Sequence, residues 1–317
     1  MAIKVRHTVF LKIESQLNTD PTPAAADDAL ELHDTPSFEM VTQAKTRPIP
    51  LGHFGESAPL IIGEAYKLSG LKIPFKASGT AGTAPRCGVP LRIAGFTQTI
   101  SAGVSVTYTP HSSYDTETAT AYFWDNGKRH KLLGCVAAAF KIPLQAGELN
   151  YIEMDIIGIY GGAIEDVTFP SPTFETSALQ VWQIANFKIN PGTEYTPTVS
   201  KYEIDLGLET KKRPDPNGPY GISRYYISQR KTKYTFDPEQ DTLANLNPYT
   251  LHQAQTEIAI ETKPTYTAGN LIELTSAKVT LDAPKAGERD GIATWDLTGQ
   301  YRPSMATGNT DLIIVFK

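Results

Sequence analysis

Hydrophobic and polar residues alternate with period two along most of this chain, the pattern of strands with one buried face. VSVTYTP (104–110), TATAYFWDNGKRHKLLG (118–134), AAAFKIPL (137–144) and NYIEMDIIGIY (150–160) are rich in β-branched and aromatic residues and predict successive strands. Asn126-Gly127 tolerates the positive φ angles of a tight hairpin turn and divides the second run. The later half repeats the style in SKYEIDLGLE (200–209), SRYYISQRKTKYTF (223–236), TEIAIETK (256–263), LIELTSAKVTLDAP (271–284), GIATWDLTGQY (291–301) and a closing TDLIIVFK. Helical periodicity is thin. DTLANLNPYTLHQAQ (241–255) predicts one short helix, with Asp241 as cap and Pro248 interrupting it. The first 45 residues are polar, Pro-punctuated and aperiodic, and predict an extended arm or long loop.

One phrase recurs. AGELNYIEMDIIGIY (146–160) is echoed by AGERDGIATWDLTGQY (286–301), with Ala-Gly-Glu, then Asp155/Asp296, Gly158/Gly299 and Tyr160/Tyr301 in the same order. Coincidence of common turn residues is the competing reading. A duplicated hairpin is favoured because in each case a strand pattern enters the AGE segment and another leaves it. At 317 residues the chain exceeds the ~250–300 at which single cores split. Pro170 and Pro172 lie where the first pattern ends and LQVWQIANFKI begins another. The expectation is a domain over 1–172, including the arm, and a second over 173–317.

Composition narrows the chemistry. A net charge of −5 argues against a broad phosphate-binding surface. Cys87 and Cys135 lack metal or redox spacing and read as reduced, buried thiols. No stretch carries the ~18 apolar residues of a membrane helix, and the start lacks the apolar core of a signal peptide. The six histidines are scattered without HExxH or an i, i+4 pair, and GTAGTA (79–84) lacks the Lys-Ser/Thr of a phosphate loop. His33-Asp34 has no visible nucleophile, and Asp27-Asp28 or Glu239 with Asp241 read as solvated acids before a glycosidase pair. No cofactor, metal or catalytic residue is expected, and the chain is expected not to be an enzyme. Parity places Glu153 and Asp155 opposite Met154 and Ile156, and Thr294 and Asp296 opposite Trp295 and Leu297. These polar faces are either the ordinary solvated side of an antiparallel sheet or a dedicated acidic surface, which Lys72, Lys76 and Lys141 would temper.

Taken in order, several stretches carry a family likeness: Lys12-Ile13-Glu14 with Thr19-Asp20-Pro21-Thr22-Pro23, PLRIAGF (90–96), VTYTP (106–110), Asp125-x-Gly127-Lys128-x-His130, and LQAGE (144–148) with GIY (158–160). Together they resemble the major tail, or tail tube, proteins of long, non-contractile-tailed bacteriophages. The likeness spans most of residues 8–162 and thins afterwards, where KYEIDLGLE and the AGE segment carry it. Asn18 stands where the resemblance leads one to expect glycine. The resemblance implies an all-β fold: two tandem tail-tube-type sandwich or partial-barrel domains, each with at most one short helix, lending strands to a closed inner barrel. It implies a structural virion protein, assembled in the host cytoplasm and found in the tail, that polymerises into stacked rings conducting DNA. If a ring needs six copies of the fold, a duplicated chain supplies them as a trimer. The expected partners are further copies of the chain, tape-measure and tail-tip or terminator proteins, and DNA passing without specific binding. Glu153, Asp155, Thr294 and Asp296 would face the lumen. Lys211, Lys212 and Arg213, in the Pro-rich segment 207–224, would contact the next ring or else form a mobile surface loop. A carbohydrate-binding or adhesin module, using the 15 tyrosines and 3 tryptophans for stacking, is the alternative.

Overall fold

In the computed structural model, alternation becomes strand almost everywhere, and the described residues are 6–45, 60–113, 115–302 and 308–317, with backbone alone at 61–63. The first half runs β1 (His7–Ile13), β2 (Ala29–Leu30), β3 (Ser37–Lys45), β4 (Leu60–Pro74), α1 (Gly88–Ile93), β5 (Phe96–Ser101), β6 (Ser105–Pro110), β7 (Ala119–Asp125), β8 (Lys128–Gln145) and β9 (Tyr151–Tyr160). After β10 (Glu165–Asp166) come β11 (Phe187–Asn190), β12 (Lys201–Asp205), β13 (Leu208–Pro214), β14 (Ile222–Arg230), β15 (Lys233–Phe236) and α2 (Pro248–Ala254). The chain ends through β16 (Ile258–Thr262), β17 (Ile272–Leu281), β18 (Lys285–Arg289), β19 (Ile292–Tyr301) and β20 (Ile313–Phe316). The protein is mostly β, with two short helices among the described residues.

Three local expectations change. The N-terminal region is not all arm: Val9, Phe10 and Leu11 are buried, and β1 pairs along its whole length with β7. A run of consecutive apolar residues hides period two because both faces of that strand are covered. The helix near 250 starts at Pro248 instead of being broken there, since proline needs no hydrogen-bond donor in the first turn. Its cap is Asn247, which accepts from the Thr250 N–H, not Asp241. The segment 207–224 is an ordered hairpin of β13 and β14, closed by a 3-10 turn at Pro219–Gly221.

Antiparallel pairing gives the order β3–β4–β9–β8–β7–β1 in the first half. The second half reads β12–β15–β19–β17–β16–β11. These are the same scheme with the strands substituted in chain order. The register agrees at its tightest point: Tyr66 faces Gly158 and Tyr234 faces Gly299, and both tyrosines are fully buried. Neither glycine is there for a special φ. A Cβ on Gly158 would stand 2.6 Å from Cys135 Sγ, and one on Gly299 would stand 2.4 Å from Val279 Cγ1. The Asp-x-x-Gly-x-Tyr part of the repeated phrase therefore occupies one structural place in both halves.

The AGE part does not. Gly147 has φ +81° in the β8–β9 turn, whereas Gly287 lies inside β18 opposite Thr294, and the tight turn falls at Asp290-Gly291. Counting from the shared aspartate, Lys285 opposite Asp296 is the counterpart of Ala139 opposite Asp155. β18 thus corresponds to the far end of β8, not to its turn.

Pairing between named strands ties the halves together at two places. β12 pairs with the end of β8, from Lys141↔Asp205 to Gln145↔Lys201, and β20 bridges β17 and β6. One apolar cluster runs from Val9 through Phe140 and Tyr202 to Phe316, so the proline-marked segment near 172 divides the chain order without dividing the packing. That segment is itself pinned, because the carbonyls of Glu175 and Ser177 accept from the buried Lys76 ammonium.

Candidate functional site: a sheet face of paired charges

The β8–β12 junction makes the two half-sheets one surface in the order β3–β4–β9–β8–β12–β15–β19–β18. Side chains on one side of it enter the core. Those on the other include Glu39, Lys67, Lys72, Glu153, Asp155, Lys141, Glu203, Asp205, Lys233, Lys285 and Asp296, none of them buried. Among the described residues the sheet is open, with β3 at one edge and β18 at the other.

Asp155 and Asp296 hold equivalent positions on this face, as their spacing predicted, but neither stands in an acidic field. Asp155 lies 3.0 Å from Lys67 Nζ and accepts the Gly70 N–H at 2.9 Å. That N–H is presented by a bulge in β4, where Gly70 takes φ +72°. Asp296 is exposed and opposite Lys285. Glu153, also exposed, is opposite Lys72 on one side and Lys141 on the other. Glu39 faces Lys67, and Asp205 faces Lys233. Lys141 sits where the halves join, 3.1 Å from Asp205 and 3.7 Å from Glu203, and the hydrogen bond it donates to Asp205 holds its ammonium above the ordinary lysine value. Each carboxylate named here stands beside a cation, so of the two readings left open by the sequence the face is a ladder of opposite charges and not a dedicated acidic surface.

Thr294 departs from the set. It is 1% exposed, flanked by Gly287 on β18 and by an isolated bridge to Glu239, so it lies beneath the surface. Lys76 is also absent from the face, since it is buried and paired with Glu31 at 2.7 Å. Beside Thr294, Asp237 receives hydrogen bonds from Ser200 Oγ, from the Ser200 and Lys201 N–H groups, and from Arg289. Burial alone would raise its pKa, but these four donors hold it below the ordinary aspartate value near 3.8. Sequence reasoning missed this cluster because its members come from three separate segments.

The three basic residues of the β13 hairpin have separate roles. Lys212 Nζ reaches the buried Glu64 carboxylate at 2.6 Å, and the Tyr225 hydroxyl lies 3.5 Å from the same oxygen. Lys211 pairs with Glu209 on its own strand at 3.0 Å. Arg213 is exposed, opposite Arg224. Ile222 and Tyr225 of β14 pack with Ala65, Val136 and Ile159, so the hairpin of the second half is clamped onto the first.

Other candidates for chemistry are occupied. His33 Nδ1 is 3.2 Å from the Tyr151 hydroxyl. Asp28 accepts from the Ala24 N–H, Glu239 holds Arg289, and Asp241 holds Asn245. A cleft of about 490 Å³ between the halves is lined by His111, Arg230, Thr232, Tyr301 and Asp311. Arg230 grips the Asp311 carboxylate with two hydrogen bonds, and Thr232 donates a third to it. All three tryptophans are buried, which leaves no indole platform for sugar stacking. Cys87 and Cys135 are free thiols whose pKa values burial pushes up. Among the described residues no group of His, Cys, Asp and Glu is arranged to hold a metal ion, and no helix is long and apolar enough to cross a membrane. No protein-family model matches the chain, and no curated protein matches it in sequence.

Proposed function

We propose that this chain is a structural subunit of a tail-tube type, built from two tandem copies of one β fold, whose eight-strand face, where the β13–β14 hairpin does not cover it at Ala65 and Ile159, lines the lumen of a ring. The observation that carries the reading is the β8–β12 junction: one copy of the strand scheme joins the next edge to edge, and the equivalent edges at the outer ends, β3 and β18, are left open. An open sheet with unpaired edges is a template for further pairing, and a head-to-tail pairing repeats until the rotation closes.

Dimensions favour three chains over two. With strands ~4.8 Å apart and tilted ~40°, a closed barrel of roughly 24 strands has a backbone diameter of about 48 Å. Subtracting a layer of side chains leaves a lumen of roughly 35–40 Å, comfortably wider than a DNA duplex. Two chains would close at about 32 Å, with an opening of roughly 20 Å that a hydrated duplex would fill. A lining of paired charges also suits a conduit. Clustered cations would hold phosphates by releasing counterions, whereas alternating charges give neither strong attraction nor strong repulsion.

Mass measurement and negative-stain microscopy of the purified chain test the reading. Three-chain rings, alone or stacked into tubes, are expected. Six-chain rings would refute the stoichiometry, and a monomer at high concentration that binds glycans would sink the proposal.

A further inference from the structure

The internal junction specifies how two molecules meet. We infer that β3 of one copy pairs antiparallel with β18 of a second copy, in the register that β12 and β8 use within the chain. The inference takes its occupant, a second copy of this chain, from the tube reading. The pairing itself comes from the strand correspondence.

The two halves align through Tyr66 and Tyr234. Met40 lies opposite Tyr66 as Ile204 lies opposite Tyr234, so β3 residues 38–41 are the counterparts of β12 residues 202–205. Likewise Gly287 lies opposite Thr294 as Lys141 lies opposite Glu153, so β18 continues where β8 would be covered by β12. Carrying Lys141↔Asp205 and Ile142↔Ile204 across gives Val41 opposite Gly287, Met40 opposite Glu288 and Glu39 opposite Arg289.

Burial supports the match. Ile204 is fully covered because β8 lies beside it, yet Met40, in the same place on an open edge, is 45% exposed. Phe38 is half-buried where its counterpart Tyr202 is 1% exposed. Among the described residues β3 has no strand partner except β4, and β18 none except β19. An edge strand carrying an exposed apolar side chain and no proline, regular from Ser37 to Val41 before its register with β4 shifts, invites a partner. The shared register also sets Glu39 against Arg289, extending the charge ladder across the interface.

Cysteine pairing tests the register directly, because directly opposite residues have Cα atoms ~4.5–5.5 Å apart, within disulfide range, while a two-residue offset does not. In the double variant Met40→Cys/Glu288→Cys both changes are on exposed side chains, and the native thiols are buried. Oxidation should give closed three-chain species on a non-reducing gel, at least ten times more than from Met40→Cys/Ala286→Cys. In the unmodified protein, amide exchange in β3 and β18 should slow on assembly. Equal cross-linking by both variants, or none, overturns the inference. Tubes that form without the 40–288 cross-link would sink this interface and spare the tube reading. Cross-linked rings that never stack would do the reverse.

Discussion

Gly158 and Gly147 are both required by one hairpin, but for different physical reasons, and substitution separates them. At Gly158 the space is missing, since a Cβ meets Cys135 Sγ and the Leu133 carbonyl. At Gly147 space is free and the φ angle of +81° is the constraint. Gly158→Ala and Gly299→Ala should each cost about 1–3 kcal/mol by overpacking. Gly147→Ala should cost about 1–2 kcal/mol through its backbone, and Gly147→Asn less, because asparagine tolerates the left-handed region. Thermal unfolding of the four variants checks the set, and rescue by asparagine at 158 would contradict it. His130 gives a pH signature. Packed against Phe38, Tyr66 and Phe123, it has its pKa held below 6.5 chiefly by burial. A depressed folded pKa contributes stability that is complete above about pH 6.5 and is lost as the pH falls through the folded value. Melting temperature should therefore drop by several degrees below pH 6.5, and His130→Phe should flatten part of that drop.

At the scale of elements, the β13–β14 hairpin shows the cost of reading loops from proline content. The prolines of segment 207–224 left a mobile surface loop open as a reading, but Thr210 to Tyr226 is a ribbon docked on the first half. Lys212→Met removes the ammonium from the buried Glu64 carboxylate, leaving the Tyr225 hydroxyl at 3.5 Å, and should destabilise by about 1–2 kcal/mol, discounted for the partial exposure of the lysine. Glu64→Gln in addition should recover most of it. Lys211→Glu/Arg213→Glu should leave the melting temperature unchanged and shorten or abolish tubes if this ribbon meets the next ring; normal tubes would remove it from the stacking contact. The amphipathic strands β6, β12, β15 and β16 were legible because each has one wet face. β1 was not, because Val9, Phe10 and Leu11 form a continuous apolar run covered on both faces, and neither was β3, where exposed Met40 stands beside half-buried Val41 and breaks the alternation. The equivalence of Asp155 and Asp296 could be read from spacing alone. Their lysine partners could not, because Lys67 and Asp155 meet only through strand pairing between distant segments.

For the whole molecule, the ladder of charges makes a prediction about traffic. Asp296→Lys adds a cation beside Lys285 without disturbing an ion pair as close as that of Asp155. Tubes carrying it should retain DNA with a steep dependence on salt, because every phosphate contact releases counterions. Asp155→Lys/Asp296→Lys should retain it more strongly, at some cost in stability from two ammonium groups at the Lys67 site. Unchanged DNA release from particles carrying the double substitution, measured between low and physiological salt, would count against a lumenal position for this face.

The β8–β12 junction also has a kinetic meaning. A ring of separate folds must make every contact by bimolecular encounter, so at low concentration most collisions yield fragments that fall apart. In the proposed ring every second contact would already be made within the chain, as an intramolecular step in place of an encounter. Nucleation then requires half as many encounters, and the two contact types are free to drift apart in sequence, as β8 with Ile142 and β18 with Glu288 already have. Such a ring would assemble at lower protein concentration than its sixfold equivalent and would present three repeats, not six, to whatever docks at its end.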